Sequence, residues 1–222
     1  MEQKYNDSLP QLFSRDNARK WIERRTMPFR SLMAYYNCAI MEVTTKFNVL
    51  NEEFSLQHDR NPIETVKSRL KSPESIAEKL NRKKLPPSTD AVEKYINDVA
   101  GVRVVCSFID DVYTVADAFL MQDDITLIEI KDYIKNPKDN GYRSLHLIIE
   151  VPIFLSDEKR SMKVEIQLRT IAMDFWASLD HQIKYKKHIS NEEHVFHELK
   201  DCANSIAEID RRMSKLKEDI DD

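Results

Sequence analysis

Apolar residues recur at helical spacing in two long stretches of the chain. After Pro28 they alternate four and three positions apart, and a second stripe of this kind follows Glu192. This spacing gathers side chains on one face, so it predicts a long amphipathic helix towards each end. Residues 11–27 predict a separate short helix, because Pro28 is well suited to begin a new one. The stripes consist of Phe29, Met33, Tyr36, Ile40, Val43, Phe47, Leu50 and Phe54, and of Leu199, Cys202, Ile206, Ile209, Met213 and Leu216.

Apolar and polar residues alternate in two other segments, Ser144–Val151 and Met162–Arg169. A period of two sends successive side chains to opposite faces of a β-strand. One face of each predicted strand therefore joins the core, and the other face carries polar side chains. In the second segment, Glu165, Gln167 and Arg169 are expected to project in a row.

The rest of the pattern completes an α+β domain. We expect a mixed sheet of about five strands flanked by helices, with long helices near the N- and C-termini. The further predicted strands are Val66–Leu70, Val102–Phe108 and Ile125–Ile130, and the further predicted helices are Ser72–Lys83, Thr89–Ile96, Asp111–Met121 and Ile171–Lys186.

The composition is that of a globular protein, with 41% hydrophobic and 32% charged residues in a chain of 222. No apolar run approaches the roughly 20 residues that span a bilayer. The N-terminus, MEQKYNDSLP, lacks the basic and apolar regions of a signal peptide. We therefore expect a cytoplasmic protein with no membrane partner. A net charge of −4 argues against a nucleic-acid coat, so no stable nucleic-acid binding is expected either.

The rarer residue types narrow the chemistry. Cys38, Cys106 and Cys202 lie far apart, without the spacing of a zinc site, and are expected to be reduced and buried. At a usage of roughly 7%, a chain of this length would hold about 15 glycines, yet this one holds two, Gly101 and Gly141. Glycine is needed where φ is positive or where a ligand approaches closely. Each glycine lies in a segment that also carries candidate chemistry.

Two carboxylates are candidates for a metal site. Asp98 precedes Gly101 and the predicted strand that carries Arg103. Magnesium that also binds phosphates uses one or two carboxylates together with water. If the strands of Asp98 and Glu165 are neighbours, both acids meet over one site. An ordinary solvated sheet face explains the same polar alternation.

Two further segments are rich in cations. Residues 131–146 combine lysines, an arginine and two tyrosines with the turn at Gly141. In residues 69–79, Arg69 and Lys71 alternate along a predicted strand, and Lys79 lies on the helix that follows. Lysine and arginine bind phosphate oxygens, and a tyrosine face stacks on a purine. Taken singly, either segment is equally well explained as a basic surface.

Four segments in one order carry a family resemblance: RLKSPESIAEKL, NDVAGVRVVC, KDYIKNPKDNGYRSLHL and VEIQLRTIAMDFWASLDHQIKYK. They resemble the synthetase domain of RelA/SpoT-type alarmone enzymes, from about Phe29 to the C-terminal helix. With no hydrolase or regulatory segment, the chain is similar to the single-domain small alarmone synthetases. The resemblance implies a nucleotidyltransferase-like synthetase domain at 29–190, an N-terminal helical extension at 1–28 and a C-terminal oligomerisation helix at 191–222.

The resemblance implies a (p)ppGpp synthetase of the stringent response, with Mg²⁺ as its cofactor. Such an enzyme moves the β,γ-pyrophosphate of ATP to the 3′-hydroxyl of GTP or GDP and releases AMP. In this chain, Asp98 and Glu165 would hold the magnesium, and Glu165 would also take the proton from the 3′-hydroxyl. The ATP-binding residues would be Arg69 and Arg103 around the adenine, with Lys71, Ser75 and Lys79 at the phosphates.

The acceptor site follows from the same resemblance. Tyr142 would stack on the guanine, Lys138 and His146 would bind the acceptor's phosphates, and Gln167 would orient the acceptor. Lys131 and Asn140 are the remaining expected GTP- or GDP-binding residues.

Assembly and branch are also implied. Small relatives form homotetramers through their terminal helices, so a homotetramer is expected. The segment ERRTMPFRSLMAYYNCAIMEVTTKFNVLNEEF is more similar to the branch often called RelP. Thr65 stands where the other, alarmone-regulated branch has an aromatic residue, which does not favour activation by alarmone.

Two alternatives remain open at this stage: the same transfer to another acceptor, such as the 3′ end of tRNA, and a catalytically inert nucleotide-binding module. Intact Asp98 and Glu165 argue against the inert module, and Tyr142 together with Lys138 and His146 favours a free nucleotide. The pair His58-Asp59 resembles the HD pair of phosphohydrolases. The histidine and aspartate that accompany such a pair are not evident, so hydrolysis is not expected.

Overall fold

The computed structural model describes residues 15–57, 60–184 and 191–221. Beyond residue 60 the strands and helices follow one another in the predicted order. The strands are β1 (Ile63–Leu70), β2 (Ala100–Cys106), β3 (Thr126–Asp132), β4 (Leu145–Phe154) and β5 (Lys159–Thr170). The helices are α1 (Arg15–Gln57), α2 (Pro73–Arg82), α3 (Thr89–Tyr95), α4 (Ile109–Leu120), α5 (Ile171–Lys184) and α6 (Glu192–Asp221).

The five strands form one mixed sheet in the order β1-β2-β5-β4-β3. Strands β2 and β5 run parallel, whereas β1–β2, β5–β4 and β4–β3 are antiparallel pairs. The expected α+β architecture with a mixed sheet is confirmed. In the central parallel pair, the start of β2 lies against the middle of β5, since Ala100 pairs with Val164.

One face of the sheet is covered by α1 and α4 and forms the main core. The apolar stripe of α1 is buried on it, with Val43 and Phe47 fully enclosed. The rings of Phe47 and Phe119 stack with centroids 4.4 Å apart, which joins α1 to α4. Each such buried side chain stabilises the fold by about 1.5–3 kcal/mol. This face forms the main hydrophobic core, so the polar side chains of the strands lie on the opposite face.

A smaller apolar cluster lies between α5 and α6. Trp176 packs against Leu199 and Ala203, and its indole N–H donates to the Leu199 carbonyl at 2.9 Å. On α6 the buried positions are Leu199, Ala203, Ala207 and Asp210. The predicted C-terminal stripe is therefore only partly buried, because Ile209, Met213 and Leu216 each expose more than half of their surface.

Some predicted boundaries were wrong. The helices predicted on either side of Pro28 are a single helix, α1, with the proline inside it. A proline at an interior position costs about 3 kcal/mol, but the preceding residues RDNARKWIERR are mostly good helix formers and continue the helix through it. Strands β4 and β5 are paired as far as Phe154 and Lys159, beyond the predicted ends, because backbone pairing continues past the alternating segments.

The cysteines are free, but only Cys106 is fully buried, and Cys202 is exposed. Within the described residues, no helix is both long enough and apolar enough to cross a bilayer. The predicted start of the N-terminal helix, residues 11–14, and the His58-Asp59 pair lie outside the described residues.

Candidate active site

Strand pairing brings the predicted polar residues onto one face of the sheet. In the parallel β2–β5 pair, Gly101 lies opposite Glu165 and Arg103 lies opposite Gln167. On the other side of β5, Gln167 lies opposite His146 of β4. Since residues paired across strands point to the same face, these side chains share one surface.

Two lysines bind the Asp98 carboxylate beside the start of β2. Lys71 Nζ lies 3.0 Å from Asp98 Oδ2, and Lys79 Nζ lies 2.7 Å from Oδ1. The backbone N–H of Lys71 donates to the Val99 carbonyl at 2.8 Å and holds the end of β1 against this turn. Burial raises the pKa of the Asp98 carboxyl, but the hydrogen bonds and charges of both lysines lower it, and the net pKa lies below the usual range. Asp98 is an anion neutralised by two cations.

Helix α2 adds donor groups next to Asp98. The Ser72 hydroxyl caps the helix by accepting from the Ser75 N–H at 3.2 Å, and Pro73 occupies the first position, as predicted. Ser75 and Lys79 are four residues apart and lie on one helix face. A helix N-terminus with a hydroxyl and an ammonium group beside it suits phosphate oxygens.

Glu165 receives two side-chain contacts, one on each carboxylate oxygen. Gln167 Nε2 donates to Oε2 at 2.9 Å, and His146 Nδ1 lies 3.5 Å from Oε1. Burial raises the pKa of the Glu165 carboxyl, but the contacts from His146 and Gln167 outweigh it, and the pKa is lowered overall. The negative charge of Asp98 raises the pKa of Glu165, so the two carboxylates interact electrostatically.

The loop before β4 presents a tyrosine pair under a lysine. Lys138 Nζ lies 4.5 Å from the Tyr133 ring centroid and 4.9 Å from that of Tyr142, distances of cation–π contact. The Tyr142 hydroxyl lies 2.8 Å from His146 Nε2. Tyr133 meets the His146 ring edge-on at 5.2 Å. Burial raises the pKa of the Tyr142 hydroxyl, so it stays protonated at neutral pH.

Gly141 fixes the course of this loop. Its φ is +87°, which glycine adopts without strain, and an added Cβ would lie 2.4 Å from the Ala203 side chain of α6. Asn140 shapes the same turn, since its Oδ1 accepts from the Tyr142 N–H at 3.3 Å. The predicted requirement for glycine therefore holds at Gly141. At Gly101 an added Cβ would be in ordinary contact, 3.6 Å from the Arg69 carbonyl.

Arg69 and Arg103 line a cavity of about 600 Å³ together with Tyr142, Gln167 and Arg169. Arg69 of β1 lies opposite Gly101 of β2 in the sheet. The Arg103 guanidinium pairs with Asp174 of α5 at 3.1 Å. The two arginines therefore stand on adjacent strands at one open pocket.

Lys131 lies further out, on β3, opposite His146 of β4. Its ammonium group pairs with Glu129 at 3.0 Å and is almost half exposed. The hydrogen bond and charge of Glu129 raise its pKa, to which the more distant charge of Glu165 adds. Lys131 is on the predicted face but at its rim.

Two arrangements in the site were not predicted from the sequence. Arg169 is 2% exposed and donates to both Tyr142 and Gln167. Asp174 pairs with both Arg103 and Arg169. Arg169 belongs to the alternating polar row, which was the available signal, whereas Asp174 lies on a helix where nothing in the pattern distinguishes it.

The carboxylates fit a hard divalent cation. Lys79 Nζ lies 2.7 Å from Asp98 Oδ1, and a carboxylate oxygen with one such partner retains a lone pair for a metal ion. Among the described residues, no group of three or more His, Cys, Asp or Glu is arranged to hold a metal alone. Magnesium at phosphate sites takes one or two carboxylates and completes its shell with phosphate and water, and the two acids match that donor set.

The fold and this surface define an α+β protein with carboxylates and cations on one face of its sheet, and the comparisons identify its family. The family described as "Region found in RelA / SpoT proteins" matches residues 68–190. GTP pyrophosphokinase YwaC of Bacillus subtilis strain 168 is 44% identical over 193 residues, which cover 87% of this chain and 92% of that protein.

Similar solved structures belong to the same family. The crystal structure of small alarmone synthetase 2 from Bacillus subtilis has a TM-score of 0.78 at 42% identity, covering 86% of this chain and 98% of that one. Small alarmone synthetase 1 from Bacillus subtilis, bound to its product pppGpp, has a TM-score of 0.79 at 32% identity, covering 91% and 100%. The chain belongs to the RelA/SpoT family, and its relatives here are single-domain small alarmone synthetases.

Proposed function

We propose that this protein is a (p)ppGpp synthetase. It transfers the β,γ-pyrophosphate of ATP to the 3′-hydroxyl of GTP or GDP and yields pppGpp or ppGpp together with AMP. The observation that carries the proposal is the placement of two acids at the parallel β2–β5 pair, Asp98 just before β2 and Glu165 on β5, with Lys71 and Lys79 bound to Asp98 and with Arg69, Arg103 and Tyr142 around one cavity. The similar proteins support it, since one is named a GTP pyrophosphokinase and another was solved with pppGpp.

The donor side is the group of cations around β1, α2 and β2. Arg69 and Arg103 border the 600 Å³ cavity and are proposed to hold the adenine between their guanidinium planes. Lys71, Ser75 and Lys79 then bind the phosphates. Both lysines pair with Asp98, so bound phosphates would draw them away from that carboxylate.

The acceptor side is the loop around Tyr142. Guanine stacks on the Tyr142 ring, and Lys138, which lies over that ring at 4.9 Å, moves to the acceptor's phosphates. Lys131 adds a cationic group on the same face, and His146, opposite it on β4, adds a ring N–H donor. Asn140 contributes by shaping the turn, and Gln167 orients the acceptor beside Glu165.

The chemistry is a transfer at phosphorus. The acceptor 3′-oxygen forms a bond to the β-phosphorus of ATP, the bond from that phosphorus to the α,β-bridging oxygen breaks, and AMP leaves. Glu165 accepts the 3′-hydroxyl proton, and its lowered pKa keeps it ionised for that task at neutral pH. A base placed at the reacting hydroxyl contributes about 10²–10⁴-fold.

Magnesium is the proposed cofactor, held by Asp98 and Glu165. When bound, it neutralises the charge that develops on the transferring phosphates. The cationic side chains Lys71 and Lys79 supply the rest of the neutralisation from the protein.

We also propose a homotetramer. The exposed apolar side chains Ile209 and Met213 of α6 line an apolar groove of about 870 Å³ together with Ile171 and Phe175 of α5, and burial of these groups between subunits would stabilise an assembly. Light scattering at micromolar concentration tests this proposal, and a monomer mass would contradict it.

The RelP-like branch and a cytoplasmic location also remain proposals. The branch proposal rests on the resemblance of residues 23–54 to that branch. All three cysteines are free, as in a reducing compartment.

A transfer assay with γ-labelled ATP tests the function. We expect the label to move to GTP or GDP in the presence of magnesium. Label appearing in tRNA instead would identify another acceptor, and retention of all label in ATP despite nucleotide binding would identify an inert binding module.

A further inference from the structure

Five side chains of the site close a ring of contacts. Starting at Glu165, the ring runs through Gln167 to Arg169, continues through the Tyr142 hydroxyl to His146, and returns to Glu165. Every other member of the ring has an expected role towards the acceptor or its proton. Arg169 has none, although it touches two of them.

One nitrogen of Arg169 makes both contacts. Its Nη2 lies 2.7 Å from Tyr142 Oη and 2.7 Å from Gln167 Oε1. The side chain is 2% exposed, and burial lowers its pKa, although the guanidinium remains charged. Its Nη1 lies 3.4 Å from Asp174 Oδ1. Burial of a charged group is costly in free energy. The guanidinium is bound by a carboxylate and two neutral oxygens, so it interacts with these neighbouring groups rather than with solvent.

The contact with Gln167 decides which way its amide points. A guanidinium only donates, so the atom of Gln167 that faces Arg169 is the carbonyl oxygen. The NH₂ group is therefore turned to Glu165 Oε2, at 2.9 Å. In the reversed orientation, Gln167 would place a donor against Arg169 and an acceptor against a carboxylate.

The contacts of His146 with Glu165 and Tyr142 together indicate its tautomer. The Glu165 carboxylate favours a proton on Nδ1, and the Tyr142 hydroxyl, which accepts from Arg169, then donates its own proton to His146 Nε2, 2.8 Å away. Nε2 is then the acceptor nitrogen of the imidazole. Its proton lies on Nδ1, which faces Glu165 Oε1 at 3.5 Å. The contacts at both ring nitrogens are consistent with this tautomer, since an unprotonated Nδ1 would point a lone pair at a carboxylate.

We propose that Arg169 is a positioning residue for Glu165: through Gln167 and through the Tyr142–His146 pair, it directs a donor at each oxygen of that carboxylate. The proposal rests on the proposed function only in treating Glu165 as the base for the acceptor hydroxyl. With both oxygens held, the carboxylate keeps one orientation as the acceptor binds. Loss of such alignment costs about 10- to 100-fold in rate.

The test combines ring-nitrogen NMR of histidine with steady-state kinetics on the full-length protein. Of the six histidines, His146 is assigned by its missing signals in His146→Gln. We expect wild-type protein to show His146 protonated at Nδ1 alone. Arg169→Met should give mixed tautomers and lower kcat by about 10- to 100-fold, with the KM for ATP changed by less than about twofold.

Further variants separate positioning from folding. Tyr142→Phe leaves Arg169 its contacts with Gln167 and Asp174 and should also release the tautomer of His146. Arg169→Lys keeps a donor at this place and should recover part of kcat. Arg160→Met is the matched control, because Arg160 lies on the same strand and pairs with Glu93, away from the ring.

An unchanged His146 tautomer in both Arg169→Met and Tyr142→Phe would overturn the proposal, as would the same changes in Arg160→Met. Wild-type protein that transfers no pyrophosphate would contradict the proposed function instead. The NMR comparison would still decide whether Arg169 sets the geometry of the ring.

Discussion

Lys79 Nζ lies 2.7 Å from Asp98 Oδ1, so the carboxylate proposed to bind magnesium is paired with an ammonium group proposed to bind ATP. Lys71 makes the equivalent contact with the other oxygen at 3.0 Å. A metal ion that binds Asp98 and phosphates that bind the two lysines must therefore each replace contacts within this one ion-pair cluster. Binding of both together resolves the competition, because phosphates receive the lysines while the cation receives the acid.

The first prediction concerns Lys79. Lys79→Met removes a charged donor to the phosphates, a contact worth about 1.5–3 kcal/mol, so the KM for ATP should rise about tenfold or more. The KM for GTP should stay nearly constant. Lys83→Met is the matched control, since Lys83 at the end of α2 contacts the Tyr95 carbonyl and not Asp98. Equal effects of both variants on ATP would contradict the donor assignment.

The second prediction concerns Glu165. Glu165→Gln keeps the size of the side chain but removes the base and its charge, so kcat should fall by at least about 10². ATP and GTP binding, measured by calorimetry, should persist within a few-fold. Near-normal turnover in this variant would show that another group takes the proton.

The third prediction concerns Gly141. Gly141→Ala forces a positive φ on alanine and drives its Cβ into Ala203, at 2.4 Å. Strain of this kind costs about 1–3 kcal/mol, and the displaced loop should also raise the KM for the acceptor through Tyr142. Urea unfolding and acceptor kinetics measure the two effects. Gly101→Ala is the comparison for stability, since its Cβ would meet only ordinary contacts, and an equal loss there would argue against this explanation.

The sequence predicts the elements well because they depend on local periodicity. The row of Glu165, Gln167 and Arg169 followed from a period of two, and the Ser72-Pro73 start of α2 followed from capping chemistry. The α1 break at Pro28 was wrong, because the helix formers before it outweigh one proline.

Long-range contacts were beyond this kind of prediction. The contact of Arg169 with Tyr142 spans 27 positions and depends on the register of β4 against β5. The close approach of Gly141 to Ala203 depends on how α6 packs. Neither is encoded in the local spacing of apolar residues. The sequence therefore indicates candidate residues such as Glu165 and Gln167, and the sheet register determines which of them are in contact.

The fourth prediction concerns the pH dependence of stability. Asp210 of α6 is buried, and this burial raises the pKa of its carboxyl, although Thr170 Oγ1 donates to it at 2.7 Å. The folded state therefore favours the protonated acid. Its contribution to stability is complete below the unfolded pKa of about 3.9, and it is lost as the pH rises through the folded pKa.

Asp210→Asn removes that titration and still offers an amide oxygen to Thr170. As the pH rises from about 4 to 7, the free energy of unfolding of wild-type protein should fall relative to that of the variant. Urea unfolding of both proteins across this pH range, at one fixed protein concentration, measures the difference. A difference that does not change with pH would contradict the assigned role of Asp210.

The central claim is tested most directly by the products of one reaction. The purified protein is incubated with ATP, magnesium and either GTP or GDP, and the nucleotides are separated by anion exchange. We predict AMP in equal amount to a guanine nucleotide that carries two additional phosphates. ADP with free phosphate would show an ATPase and contradict pyrophosphate transfer.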